Sequence, residues 1–197
     1  ALAVLTIGAA TIVFATLLTS VFSAYRSSPM LACQAGILVL AFGGWVRAGA
    51  PRPLVSGIPR DSLLRAARAH RTIAVMAVAA IVAALVELLL ALTVAPNTWD
   101  SLMYHLSRVA LWIQSGSVFH TDGGSIWEVQ HQANGEFIYG WTMLLSGGDR
   151  FVAITQLLAA IGCAGAVYWG ARILRFNRPA SVFAAAIFFT MPQIVTQ

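Results

Sequence analysis

The sequence contains no lysine, and its 12 arginines and 7 acidic residues make up only 10% of 197 positions. Soluble globular domains carry about 25% charged residues, so an ordinary water-exposed surface is excluded. With 59% hydrophobic residues and a mean hydropathy of +0.79, the chain reads as an all-α integral membrane protein. Cysteine is scarce too. Cys33 and Cys163 both fall inside apolar segments, which excludes a disulfide framework and a paired metal site. A separate basic domain is also missing. The formal charge of +5 comes from arginines flanking apolar segments, so the positive sign does not indicate nucleic acid. No repeat period is visible. The chain begins without methionine or the basic region of a signal peptide and ends inside an apolar pattern, so both ends read as truncations of a longer protein.

Long apolar runs are abundant. Crossing ~30 Å of hydrocarbon takes about 20 residues, and residues 1–22, 30–46, 72–94 and 151–171 approach that length. A fifth run, 179–197, contains Pro192, which kinks it or marks its end. The expectation is about five transmembrane helices, divided into an N-terminal hairpin (1–48), an Arg-rich linker helix (49–71), a single span (72–94), a loop (95–150) and two further spans (151–197).

Arg47, Arg52, Arg60, Arg65, Arg68 and Arg71 stand against the single acid Asp61 in the linker, and Arg172, Arg175 and Arg178 flank the last connection. The positive-inside rule makes both cytoplasmic and residues 95–150 external, in a plasma membrane. The linker stretch RDSLLRAARAHR reads as a helix capped by Asp61 or Ser62, a solvated juxtamembrane segment able to meet anionic head groups. In the loop, GEFIYGWTMLLSGG is too short to span and reads as a helix at the outer interface, with Tyr139 and Trp141 suited to that depth.

The loop opens with NTWDSLMYHLSRVALWIQSG. Pro96 and Asn97 end the preceding span, and Asn97, Thr98 or Asp100 can cap a new helix. At 100° per residue, Leu102, Met103, Leu106, Val109, Ala110 and Ile113 fall on one arc. Asp100, Tyr104 and Arg108 form a polar stripe, with Ser101 and His105 beside it. An interfacial helix with a merely wet polar face would show the same pattern. The following VFHTDGGSIWEVQHQANGEF, with His120, Asp122, Glu128, His131 and Glu136, is long for a connection without a function. Its histidines have neither H-x-x-x-H nor H-E-x-x-H spacing, so no metal site is expected. Glu87 lies inside the third run, where a carboxylate costs at least ~2.5 kcal/mol unless it meets a partner or a wet cavity. It is a minor site candidate, and a transporter built around it is a weaker third reading.

The D-S-x-x-Y-H-x-x-R-V pattern at Asp100, Ser101, Tyr104, His105, Arg108 and Val109, followed by Trp112, Gly116 and Ser117, resembles bacterial polytopic glycosyltransferases of the GT-C superfamily. This class includes protein O-mannosyltransferases and aminoarabinose or arabinofuranosyl transferases. ANGEFIYGW resembles the second juxtamembrane helix of that fold, with Glu136 at its start, and FTMPQIVTQ a further span. Such proteins often place two prolines before that glutamate, whereas this chain has Ala133, Asn134 and Gly135. The resemblance covers roughly residues 72–197. It implies a polyprenyl-phosphate sugar as donor, no certain cofactor, and an external acceptor hydroxyl. It also implies Asp100 as the base, and Tyr104, His105, Arg108, His131 and Glu136 as substrate-binding residues. Arg108 would meet the leaving phosphate, and transfer would proceed with inversion. The partners expected are membrane lipid, the lipid-linked sugar and possible further membrane subunits. The alternative is a non-catalytic subunit of a larger membrane complex derived from the same family, a reading that the small number of spans supports.

Overall fold

The structure is a computed structural model that describes residues 2–50, 70–119 and 133–191. The described residues are all-helical, with no strand. In chain order they form α1 (Leu2–Val21), α2 (Ser27–Arg47), α3 (Arg71–Thr93), a π-helical turn (Ser101–His105), α4 (Leu106–Ser115), α5 (Asn134–Ser146), α6 (Val152–Ile173) and α7 (Arg178–Phe189). Four of these are long and apolar enough to cross a membrane: 19 residues of α1, then α2, α3 and α6 at 21, 23 and 22 residues. Among the described residues the fifth run contributes α7, whose 12 residues span about 18 Å. Asn177 starts α7 by accepting a 2.9 Å hydrogen bond from the Ala180 amide, with Pro179 in the first turn. Pro192 and the linker cap at Asp61 or Ser62 lie outside the described residues.

The helices group into two compact units. The first contains the described parts of Ala3–Arg52 and Val94–Thr155, so the N-terminal hairpin and the loop helices belong together. The second contains α3, most of α6, and α7. Within it α3 packs against α7, and Ala91, Ser181, Ala186 and Phe189 are buried. Elsewhere α3 keeps Val75, Val78, Ile81, Leu85 and Leu89 exposed, as expected of a helix solvated by lipid.

In the first unit α4 packs on α5, and α5 also touches α2. Ala15, Tyr25, Met30, Val109 and Trp112 form its buried core. The turn between α1 and α2 is tied to the end of α4. Tyr25 N donates to Gly116 O at 2.8 Å, Ser117 Oγ to Ser20 O at 3.1 Å, and Val118 N to Ser20 Oγ at 3.2 Å. Gly116 ends α4 in the left-handed region at φ 74°, and a Cβ there would stand 2.7 Å from Ser23 O. Both requirements select glycine. These bonds put the α1–α2 turn and the loop helices at the same end of the unit. The helix expected at the outer interface, α5, packs against α4 and α2. Trp141 and Tyr139 both lie partly buried against the core. Cys33 is partly buried there as well, whereas Cys163 is exposed on α6, outside any core.

Candidate functional site

The loop helix starts with Thr98. Its Oγ1 accepts from the Ser101 amide at 3.3 Å and donates to Ser101 Oγ at 2.6 Å, the bonding of an N-cap. Asp100 makes no capping bond and is exposed in the first turn, where the helix dipole favours an acid.

From Ser101 to His105 the backbone closes i to i+5, with Leu106 N donating to Ser101 O. This π-turn breaks the regular α-helical periodicity expected from the sequence. A π-turn takes up more residues per revolution than an α-turn, so side chains before and after it rotate out of register. The predicted apolar arc divides accordingly. Leu106 and Val109 are buried, while Leu102 and Met103, ahead of the change, are 56% and 42% exposed. The polar stripe divides as well: Asp100 is exposed, Tyr104 partly buried, and Arg108 only 2% exposed.

Arg108 turns to Glu136 in the first turn of α5, which is 1% exposed. Arg108 Nη1 donates to Glu136 Oε1 at 3.1 Å, and His105 Nδ1 lies 2.8 Å from the same oxygen. Three of the residues expected to bind substrate therefore meet each other across the α4–α5 interface. The Arg108 guanidinium also stands 5.9 Å over the Trp112 ring, and Trp112 packs on Phe137 with ring centroids 5.5 Å apart.

Aromatic rings enclose the cluster. Tyr104 lies 4.1 Å from His105 between centroids, and Tyr139 meets His105 edge-on at 6.3 Å. Both phenols titrate above their ordinary value. Partial desolvation is the main cause at Tyr104, reinforced by Asp100 and Glu136 and opposed by Arg108. Burial dominates at Tyr139, with Glu136 adding to it. Both stay protonated near neutrality and can donate hydrogen bonds.

Glu87 sits on α3 in the second unit, and His131 lies outside the described residues, as do His120, Asp122 and Glu128. Among the described residues no group of three or more His, Cys, Asp or Glu is placed to hold a metal ion. Sequence reasoning missed Tyr25 and Ser20, which join the hairpin to the loop helices. Nothing in their local pattern sets them apart from ordinary helix-end residues.

No protein-family model, curated protein or solved structure matches the chain.

Proposed function

We propose that the chain is a membrane glycosyltransferase of the GT-C type, moving a sugar from a polyprenyl-phosphate donor to an acceptor hydroxyl on the outer face of a bacterial plasma membrane. The observation that carries this reading is an exposed carboxylate, Asp100, in the first turn of the helix that follows a membrane-spanning helix, close to a phenol that remains protonated. A donor tethered by its polyprenyl tail exposes its anomeric carbon at that depth. The acceptor oxygen bonds to the anomeric carbon and gives its proton to the Asp100 carboxylate. The bond from the anomeric carbon to the phosphate oxygen breaks with its electron pair on the phosphate, inverting the centre. Tyr104 donates a hydrogen bond to a phosphate oxygen. Arg108 spends a donor on Glu136 and is buried, so its contribution to phosphate binding requires a different side-chain arrangement. Residues 49–71 and 172–178 lie in the cytoplasm and 95–150 outside.

The burial of Arg108 and Glu136 against each other favours a second reading, a non-catalytic subunit in which the pair only braces two helices. Replacing Asp100 by Asn in the full-length protein separates the two. With a radiolabelled polyprenyl-phosphate sugar, Asp100→Asn is expected to reduce transfer about 10²- to 10⁴-fold. Near wild-type transfer by the variant removes Asp100 as base. No transfer by the wild type with hexose and pentose donors favours the accessory subunit.

A further inference from the structure

An imidazole above its ordinary titration range has one proton to place on two nitrogens, and the partner of one nitrogen decides the tautomer. At His105 that partner is Glu136. Its Oε1 lies 2.8 Å from Nδ1, and the same oxygen accepts from Arg108 Nη1 at 3.1 Å. A carboxylate has no proton to offer Nδ1, so the bond requires Nδ1–H as donor and leaves Nε2 with its lone pair. Glu136 is 1% exposed and the Arg108 side chain 3%, so solvent does not compete for this bond. The His105 side chain nevertheless keeps 32% of its surface exposed. With the Nδ1 edge covered, that exposure belongs to the rest of the side chain. Tyr104 and Tyr139 hold the ring from two other directions, and the π-turn ends at His105 itself.

We infer that Glu136, backed by Arg108, is a positioning residue that fixes His105 as the Nδ1–H tautomer, so that Nε2 accepts a hydrogen bond from a hydroxyl of a sugar-like ligand. The ligand class rests on the glycosyl-transfer reading, and the tautomer does not. Among the described residues, Tyr104 and Tyr139 pack against the ring, Glu136 meets Nδ1, Arg108 shares that carboxylate oxygen, and Asp100 acts on Tyr104. His105 thus orients a hydroxyl, while Asp100 takes the proton.

The test uses the full-length protein in nanodiscs at pH 8 with ¹⁵N-labelled histidine, the His105 signals being assigned by their loss in His105→Asn. The expected wild-type spectrum has a protonated Nδ1 and a bare Nε2, opposite to the tautomer that water favours. Glu136→Ala should move most of the population to Nε2–H. Glu136→Gln should retain the native tautomer, because the amide oxygen still accepts from Nδ1–H. If Glu136→Ala does not fold, Arg108→Met with Glu136→Met removes the same acceptor without stranding a charge. An Nε2–H wild type, or a tautomer unchanged when the Glu136 oxygen is removed, overturns the inference. In the transfer assay, His105→Phe should raise KM for the acceptor about tenfold with little change in kcat, whereas Asp100→Asn lowers kcat. An unchanged KM overturns the hydroxyl assignment alone. Absence of transfer by the wild type overturns the glycosyl-transfer reading and the ligand class with it, and the tautomer result stands.

Discussion

Removing one member of the Arg108–Glu136 pair tests the packing of α4 on α5. Both side chains are within 3% of full burial, so Glu136→Met leaves a guanidinium in a protein interior without the Glu136 carboxylate. Breaking a buried pair in this way costs about 3–5 kcal/mol. At about 2–4 °C per kcal/mol for a chain of this size, the unfolding midpoint falls by about 6–20 °C. Arg108→Met alone buries a carboxylate beside a methionine and carries a penalty of the same order. Replacing both by Met removes the two charges together and keeps comparable volume, so most of the loss is recovered. Thermal unfolding in nanodiscs, followed by near-ultraviolet circular dichroism, reads all four proteins. The cycle should give a coupling of about 3 kcal/mol or more between the two positions, because each single variant breaks the same buried ion pair. Single variants that each lose under about 1 kcal/mol would refute the reasoning, since a pair that weakly coupled is solvated.

The membrane helices were legible because their signal is a sum over some twenty side chains. The runs at 1–22, 30–46, 72–94 and 151–171 became Leu2–Val21, Ser27–Arg47, Arg71–Thr93 and Val152–Ile173. The largest shift is at α2, which begins ahead of Met30 because Pro29 fits a first helical turn. The site was legible only in its inventory. Periodicity assigned Arg108 to a wet stripe because arginine is polar, but its actual environment depends on Glu136, 28 positions away. No local pattern encodes that choice. The π-turn is equally silent in the sequence, since i to i+5 closure leaves no compositional mark in SLMYH. The bonding of Ser20 to Ser117 and Val118 spans 97 and 98 positions. The N-terminal hairpin, which lies outside the stretch covered by the resemblance, is therefore part of the unit that holds the motif.

Two further predictions concern that junction. Tyr25 is fully buried, with its hydroxyl beside that of Thr16, and neither hydroxyl makes a hydrogen bond of good geometry among the described residues. Leaving a hydroxyl dry and unpaired costs about 1–3 kcal/mol, so Tyr25→Phe is expected to keep or raise the unfolding midpoint. A clear loss would mean that the hydroxyl is bonded. Gly140 on α5 lies against the same ring. A Cβ there would overlap the Tyr25 hydroxyl, so Gly140→Ala is expected to destabilise by about 1–3 kcal/mol despite the better helix propensity of alanine. The two changes should not add. With the hydroxyl gone, the nearest ring atom, Cζ, stands 3.1 Å from the new Cβ, and Val109 Cγ1 stands 3.5 Å away. A shift of a few tenths of an ångström in the ring then suffices. Tyr25→Phe should therefore rescue most of the loss caused by Gly140→Ala, measured by the same unfolding midpoint. Strict additivity would show that the two residues are not in contact and that the α1–α2 turn does not sit on α5.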